Sequence, residues 1–402
     1  MAGPAPGIRV GAGLSVRQWL LASPTASIVV FAVGLRVATA FLAFLANIVF
    51  PLHQRQAFSF FQHPHAFWDT FARYDSSWYL GIARNGYEFA EGGRSNLAFF
   101  PLYPLLMGVL GRPFGTRSYH YYSAGIAISW VAFVVAMIVL YRLARLDVSR
   151  RAAHRAVVYA ALFPFAFFYG IVYSESLFLM LALLAVYGFR TRRWLMGGVA
   201  GALATATRVN GIMMLPALAW MGWQAARDDR RQRVYAMVAV AFSSTGLAVY
   251  SVYAYTLSGS FVEWYHSITR WNAQPYQPGM GFGVFVGLAR ALLTRPYSYL
   301  TQEHAAPYDL LNGGVALLFL AMVPFLWRRL GIGYGLFMLA NLALPMSSEQ
   351  FEGLGRYCAV LFPAFIWLGT FRAPVVQAGI TAGFAMAYLL CLSLFVNLYP
   401  IF

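Results

Sequence analysis

The sequence has no lysine, little charge and almost no cysteine. Only 10% of its 402 residues are charged and 60% are hydrophobic, which excludes an ordinary water-soluble globular protein. The two cysteines, Cys358 and Cys391, lie in separate apolar stretches, so the sequence contains neither a disulfide framework nor a CxxC metal-binding pair. The chain is therefore expected to lie in a lipid bilayer.

Because lysine is absent, all 29 basic residues are arginines, and they outnumber the 13 acidic residues to give a formal charge of +16. A nucleic-acid-binding protein would carry such residues as a stripe on a soluble surface. Here the arginines cluster in short links between apolar runs, as the positive-inside rule predicts for cytoplasmic loops. We therefore predict that these arginines lie beside membrane lipids and that the protein binds no nucleic acid.

The apolar runs are long enough to cross a bilayer core of about 30 Å. They predict an all-α polytopic integral membrane protein with about nine transmembrane helices, N-terminus inside and C-terminus outside. The predicted crossings are 27–50, 121–141, 156–172, 174–189, 234–258, 309–327, 330–346, 357–371 and 375–398. The first run is too long for the apolar region of a signal peptide and is interpreted as an uncleaved span.

The run 195–223 does not fit this topology as one crossing, because it would place the next arginine cluster outside. Arg208 and Asn210 interrupt the run near its middle. Two half-helices that return to the same side resolve the conflict, provided that protein or a wet cavity shields the broken backbone. We therefore predict a re-entrant helix pair, with the GxxxG spacing of Gly197 and Gly201 serving close helix packing.

Two long loops, 51–120 and 259–308, fall on the extracytoplasmic side of a single membrane domain spanning 1–402. Only three of the 13 acidic residues, Asp147, Asp228 and Asp229, fall in the predicted cytoplasmic links. Acidic residues contribute little to membrane orientation. This skew favours an outer-face functional site, with simple solvated loops as the alternative explanation.

The first loop is aromatic, charged and amphipathic. In 76–83 the apolar residues recur at helical spacing, which predicts an interfacial helix with Asp75 at its N-cap position. An N-cap carboxylate stabilises a helix by about 1 kcal/mol. A carboxylate within reach of a nucleophile can instead act as a general base. Position alone does not choose between these two roles.

Several motifs resemble one known family. RYDSSWYLGIARNGYEF (73–89) followed by SNLAFFPLYPLL (95–106) is similar to the first-loop signature of the PIG-V family, the GPI second-mannose transferases and their bacterial relatives. Further blocks follow in the same order: FPFAFFYGIVYSESLFL (163–179), TRVNGIMMLP (207–216) and GRYCAVLFPAF (355–365). The resemblance implies the GT-C glycosyltransferase architecture.

The resemblance further implies an inverting transferase that moves a sugar, typically mannose, from a polyprenyl-phosphate donor to a hydroxyl of a lipid-linked acceptor. It assigns Asp75 as the catalytic base. No covalent intermediate is needed, and the sequence has no nucleophile-elbow serine or Cys–His signature. The aromatic–Asp pair of the family, usually Trp-Asp, is Tyr74-Asp75 here. The GPI precursor that the eukaryotic enzymes use need not exist in this organism, which leaves the acceptor open.

The remaining candidate residues would bind donor or acceptor. Arg208 and Arg356 suit the charge of a leaving phosphate, with structural pairing and interfacial snorkelling as their respective alternatives, and Arg94 is a third candidate. Glu175 would bind sugar or acceptor hydroxyls or stabilise the first turn of its helix. The other donor- or acceptor-binding candidates are Tyr74, Trp78, Tyr79, Asn96 and Asn210; aromatic packing alone would also explain Tyr79.

No cofactor is indicated. Asp69 and Asp75 are poorly spaced to share a metal, and His63-Pro64-His65 lacks an adjoining carboxylate. A requirement for a divalent metal stays open. All-arginine, Ala/Gly-rich usage indicates a high-GC bacterium, so the expected location is the bacterial cytoplasmic membrane with an extracytoplasmic active site.

The rival class is a membrane transporter or lipid flippase, since interrupted helices also mark transport sites. A transporter should concentrate polar residues at the membrane midplane and show paired interruptions. Here polar residues crowd an outer loop, and only one clear interruption exists.

Overall fold

The computed structural model describes residues 23–53, 66–271, 283–303, 306–347 and 350–401. Across these ranges the chain is helical and forms no β-strand. The first helices are α1 Pro24–Val49, α2 Ala66–Phe71, α3 Ser76–Asn85, α4 Leu102–Gly111, α5 Ser118–Ala144, α6 Arg150–Leu162, α7 Glu175–Arg190, α8 Trp194–Thr205 and α9 Leu215–Ala225. The remaining helices are α10 Arg230–Ser243, α11 Thr245–Ser258, α12 Glu263–Trp271, α13 Gly283–Thr294, α14 Pro296–Gln302, α15 Ala306–Leu330, α16 Ile332–Met346, α17 Leu354–Ala359, α18 Phe362–Leu368 and α19 Pro374–Val396.

Five helical segments are long and apolar enough to cross a membrane: Pro24–Val49, Ser118–Ala144, Arg230–Ser258, Pro307–Leu330 and Pro374–Val396. They correspond to five of the nine predicted crossings, and the break between α10 and α11 interrupts the third of them only at Ser244. Large apolar side chains such as Phe41 and Val249 are exposed on these helices. Such exposed apolar faces are expected where lipid, not water, surrounds a helix. The prediction of a polytopic helical membrane protein is confirmed.

Among the described residues, none of the other four predicted crossings forms a single helix of 18 residues or more. The segment 156–172 is α6 followed by a 3-10 turn at Ala166–Gly170, while α7 and α16 have 16 and 15 residues. The predicted span 357–371 is wrong as a single helix, because it is divided between α17 and α18. Pro363 lies in the first turn of α18 and has no N–H with which to continue the preceding helix.

The predicted break in 195–223 is confirmed. Helix α8 ends at Thr205, a 3-10 turn occupies Val209–Met214, and α9 follows. The ring of Phe189 at the end of α7 packs against both Gly197 near the start of α8 and Gly222 near the end of α9. The two half-helices therefore begin and end at the same level of the bundle, as a re-entrant pair must.

The tip of this hairpin is tightly built. A Cβ at Gly211 would lie 2.5 Å from Thr205 Cα, so only glycine allows the chain to turn back so closely. The two glycines of the GxxxG pair serve packing, since Gly197 faces Phe189 and Gly201 faces Ser243 of α10. Close contacts of this kind hold the hairpin as a fixed part of the bundle.

The described part of the first loop, from residue 66 onward, is folded onto the bundle. The Ser76 hydroxyl donates to the Val172 carbonyl oxygen at 3.0 Å, and the Val172 N–H donates to Phe71 O at 3.0 Å. The Leu102 N–H donates to Ala206 O at 2.9 Å, which joins the loop to the hairpin tip. The start of α3, the turn before α7 and the hairpin tip are therefore brought together at one end of the molecule.

Candidate active site

Asp75 precedes α3, but its side chain does not cap the helix. No N–H of the first turn donates to its carboxylate, and its backbone is helical (φ −57°, ψ −20°) instead of the extended conformation usual for a capping residue. The Asp75 Oδ2 atom instead accepts a hydrogen bond from Arg356 Nη1 at 2.7 Å. The capping interpretation of this carboxylate is therefore wrong.

The residue before Asp75 has an unusual backbone. Tyr74 has φ +49°, a left-handed conformation that side-chain-bearing residues rarely adopt. Its buried phenol donates to Tyr399 O at 3.1 Å, which ties this turn to the C-terminal segment. Strained backbone held by tertiary contacts is common at functional sites. Here it fixes the position of the Asp75 backbone.

A second ion pair lies beside the first. Glu175 is fully buried at the start of α7, and its Oε1 atom accepts a hydrogen bond from Arg208 Nη1 at 2.5 Å. The same oxygen lies 3.9 Å from Arg356 Nε. Asp75, Arg356, Glu175 and Arg208 thus form a continuous charged cluster of two carboxylates and two guanidinium groups. The four residues come from four separate segments of the chain.

The charged cluster is open at one end and closed at the other. The side chain of Asp75 is 21% exposed and that of Arg356 18%, whereas Arg208 is 10% exposed and Glu175 is not exposed at all. The inner oxygen of Glu175, Oε2, is buried without a hydrogen-bond partner in the described part of the chain. Charge interactions strengthen as water is excluded, so they are strongest at the Glu175 end and most accessible at Asp75.

Aromatic residues form the wall of the charged cluster. The Tyr173 hydroxyl oxygen accepts the Asp75 N–H at 3.3 Å, and the Tyr173 ring lies 5.8 Å from the Arg356 guanidinium. The Tyr357 ring faces both guanidinium groups, at 5.2 Å from Arg208 and 5.8 Å from Arg356. Cation–π contacts of this length favour one orientation of each arginine.

Sequence reasoning did not single out Tyr173 and Tyr357, although a signal existed. Tyr173 lies two residues before Glu175, and Tyr357 follows Arg356 directly, within two of the sequence blocks that carry the family resemblance. Ser174 was also missed. Its Oγ atom lies 3.1 Å from Tyr79 Oη and accepts a hydrogen bond from Arg208 Nη1 at 3.2 Å.

Tyr79 is buried against the charged cluster. Burial raises the pKa of its phenol, and the negative charges of Glu175 and Asp75 raise it further. The phenol is therefore protonated at neutral pH and serves as a hydrogen-bonding group. Its ring also packs against Phe99 and Tyr103, at centroid distances of 5.4 and 5.1 Å, so the packing interpretation is confirmed and the binding role stays a prediction.

Four other predicted site residues lie outside the charged cluster. The Trp78 ring stacks on Phe99 at 5.8 Å. Asn96 folds the first loop, since its Oδ1 accepts from Glu88 N at 2.9 Å and its Nδ2 donates to the Gly86 carbonyl oxygen at 3.3 Å.

Asn210 points toward α16. Its Nδ2 lies 3.4 Å from Asn341 O, and its buried Oδ1 has no hydrogen-bond partner in the described residues. Arg94 is exposed, and its charge acts on Glu352. Burial raises the pKa of the Glu352 carboxyl, and the Arg356 charge opposes this increase. Within the described ranges, neither Asn210 nor Arg94 forms a hydrogen bond or ion pair with Asp75.

The described residues contain no group of three or more His, Cys, Asp or Glu side chains placed to hold a metal ion. The pair His63 and His65 lies outside the described residues. The side chains that the charged cluster offers to a ligand are carboxylates, guanidinium groups and phenols. Such a set suits hydroxyl groups and a phosphate.

The relatives of this chain include proteins named GPI alpha-1,6-mannosyltransferase 2. GPI alpha-1,6-mannosyltransferase 2 of Cricetulus griseus is 32% identical over 214 residues, which cover 49% of this chain and 42% of the relative. The Rattus norvegicus protein of the same name is 33% identical over 200 residues, covering 46% of this chain and 40% of the relative. The match therefore spans less than half of each relative.

Among solved structures, the archaeal oligosaccharyltransferase AglB from Archaeoglobus fulgidus, in complex with an inhibitory peptide and a dolichol-phosphate, aligns with 96% of this chain and 56% of its own. The sequence identity is 13% and the TM-score is 0.48.

A family model described as mannosyltransferase (PIG-V) matches residues 25–256, more than half of the chain. The matched range includes Asp75, Glu175 and Arg208, while Arg356 lies beyond it and reaches the same cluster through the fold. This chain belongs to the mannosyltransferase (PIG-V) family.

Proposed function

We propose that this protein is an inverting glycosyltransferase that moves mannose from a polyprenyl-phosphate donor to a hydroxyl of a lipid-linked or cell-envelope acceptor. The reaction takes place on the extracytoplasmic side of a bacterial cytoplasmic membrane. The observation that carries this proposal is the Asp75 carboxylate, held by Arg356 at the open end of the charged cluster.

Asp75 is the proposed general base. Its Oδ2 atom accepts a hydrogen bond from Arg356, and its Oδ1 atom accepts none from the described residues, so Oδ1 is available for a proton. The acceptor oxygen attacks the anomeric carbon while its proton passes to Asp75 Oδ1. The bond between that carbon and the phosphate oxygen breaks, its electron pair leaves with the phosphate, and the anomeric configuration inverts. A carboxylate so placed contributes roughly 10²- to 10⁴-fold to the rate of such a step.

Arg356 and Arg208 are proposed to stabilise the leaving phosphate. The two carboxylates and two guanidinium groups sum to zero formal charge before reaction. When Asp75 takes the proton, the cluster becomes positive by one charge as the phosphate becomes more negative by one. Fixed cations beside a developing negative charge lower the barrier most where water is excluded, which is the condition at Glu175 and Arg208.

Glu175 is proposed to position Arg208 and to accept a hydrogen bond from a sugar or acceptor hydroxyl through its unpartnered Oε2. A buried oxygen without a partner costs free energy that a ligand hydroxyl would recover. The transporter alternative depended on Arg208 in the broken segment. That arginine lies in the same cluster as Asp75, so it does not support a separate transport site.

The purified protein in liposomes should transfer label from polyprenyl-phosphate [³H]mannose to a lipid extract, because the donor's apolar chain enters the bilayer and its phosphate meets the arginines. The measurement is label recovered in the acceptor fraction, with the configuration of the new linkage determined by linkage-specific glycosidases. Polyprenyl-phosphate glucose is the matched control. Transfer from the glucose donor alone would refute the assignment of mannose, and transfer from neither would refute the proposed donor class.

Sidedness can be tested by labelling one new thiol at a time, because both native cysteines are buried. We expect Glu91→Cys, in the exposed first loop, to react with a membrane-impermeant maleimide in intact cells. Arg227 lies between α9 and α10, and its side chain is 73% exposed. Arg227→Cys should react only after permeabilisation. The opposite pattern would place the Asp75 cluster in the cytoplasm.

A further inference from the structure

A polar cavity lies at the other end of the bundle from the charged cluster. Helix α7 begins at Glu175 in that cluster, and its 16 residues carry the chain about 24 Å to Arg190. Arg190 pairs with Asp147, which lines the cavity. The cavity has a volume of about 350 Å³. The charged residues that line it are Arg145, Asp147, Arg155, Arg329 and Arg372.

The cavity has a strong positive charge that the described chain does not neutralise. Its four arginines come from the α5–α6 link, α6, the end of α15 and the α18–α19 link. None of them forms an ion pair with a described carboxylate. The one acidic residue of the cavity, Asp147, is already occupied, with Arg190 at 2.7 and 3.0 Å and the Tyr334 hydroxyl at 2.9 Å.

Two of the arginines are held in place by backbone carbonyl groups. Arg145 Nη1 donates to Val148 O at 2.8 Å, and Arg155 Nε donates to the Gly369 carbonyl oxygen at 2.8 Å. The same cavity receives the N-terminal end of α6, where Ser149 caps the helix by accepting from Ala152 N at 3.3 Å. Guanidinium groups fixed in this way lose less entropy on binding an anion, and a helix N-terminus favours negative charge.

The cavity lies where the apolar helices end. Helix α5 ends at Ala144 and α15 at Leu330, immediately beside the cavity residues Arg145 and Arg329. On α15, Phe325 is exposed one turn before Arg329 on the same face of the helix, so an apolar surface leads directly to the basic cavity. A lipid tail against that surface would bring its phosphate to the arginines.

We propose that this basic cavity binds the phosphate of an anionic phospholipid headgroup. Arginine forks match phosphate oxygens in pairs, and basic pockets between transmembrane helices suit anionic headgroups. The site is separate from the Asp75 cluster and does not depend on the activity proposed for that cluster.

The test compares two triple variants that lose the same charge at the same end of the bundle. The cavity variant is Arg145→Gln/Arg329→Gln/Arg372→Gln, which keeps Arg155 and its bond to Gly369. The matched control is Arg192→Gln/Arg193→Gln/Arg230→Gln, three exposed arginines outside the cavity. Native mass spectrometry of the detergent-purified full chain measures the binding of phosphatidylglycerol, of phosphatidylcholine and of inorganic phosphate.

We expect the wild-type protein to bind phosphatidylglycerol at least about ten-fold more tightly than phosphatidylcholine. The cavity variant should bind phosphatidylglycerol roughly 100-fold more weakly than wild type, and the control variant should stay within about three-fold. Equal losses in the two triple variants would overturn the site in favour of general surface attraction. Equal binding of the two lipids would overturn the charge argument, and binding of inorganic phosphate alone would overturn the assignment to a lipid.

A lysine version of the cavity variant guards against misfolding. Arg145→Lys/Arg329→Lys/Arg372→Lys keeps the charge and loses the paired hydrogen bonds of the guanidinium group. It should retain binding between those of the wild type and the glutamine variant. Binding by the lysine variant as weak as that by the glutamine variant, with an unchanged melting temperature, would overturn the role of positive charge.

Discussion

Asp75→Asn is expected to lower the rate of mannose transfer by roughly 10²- to 10⁴-fold while the protein stays folded. Asparagine keeps the size of the side chain but cannot take the acceptor proton. The ion pair with Arg356 is lost, yet both partners are about one-fifth exposed, so water can replace part of that interaction. Initial rates with labelled donor, together with the melting temperature, measure the two effects separately.

Glu91→Gln is the matched control for this experiment. Glu91 lies in the same loop and is exposed, and no described ion pair involves it, so its loss should leave the rate within about two-fold. Asp75→Glu is a second probe, because it keeps the carboxylate but displaces it by one methylene. Near-normal transfer by the Asn variant would show that Asp75 is not the base.

Arg208→Met is expected to destabilise the protein by about 3–5 kcal/mol, because it leaves the buried carboxylate of Glu175 without its close partner. The nearest remaining cation is Arg356, whose Nε atom lies 3.9 Å away. The double variant Glu175→Leu/Arg208→Met removes both charges, and it should recover most of the lost stability. Reversible unfolding in mixed micelles measures these differences.

Activity should separate from stability in this pair. The double variant is expected to transfer mannose at least about 100-fold more slowly than the wild type. The phosphate loses a fixed cation, and the substrate loses the Glu175 Oε2 partner. A double variant that regained both stability and activity would reduce the pair to a structural ion pair. Gln232→Leu is the stability control. Gln232 Oε1 accepts a hydrogen bond from Trp194 Nε1, and Trp194 lies at the other end of the same hairpin.

Sequence periodicity predicted the long helices and the interrupted hairpin. The five long apolar helices carry their own signal in length and composition, and Arg208 and Asn210 mark the break because polar residues are costly in an apolar run. The same reasoning merged α17 and α18 into one span. It counted apolar residues across Pro363 and gave too little weight to the missing N–H.

The charged cluster could be predicted only in part. Asp75 and Arg356 are 281 residues apart in sequence, and no local pattern records that one guanidinium meets that carboxylate. Asp75, Glu175, Arg208 and Arg356 were each identified as candidates, but with local alternatives such as capping or snorkelling. Their mutual pairing required the fold, whereas Asn96 and Trp78, which lie in the same motif as Asp75, fall outside the charged cluster and their binding roles stay predictions. The single-domain boundaries and the catalytic roles stay predictions.

The exposure of Asp75 at the open end of the charged cluster has a consequence for repeated turnover. A base that has taken a proton must give it up before the next acceptor arrives, and the fully buried Glu175 side chain is not accessible to bulk solvent. The side chain of Asp75 is 21% exposed. Under the proposed mechanism, solvent would therefore remove the proton from Asp75 after each transfer, and no proton would have to travel through the apolar interior between one sugar and the next.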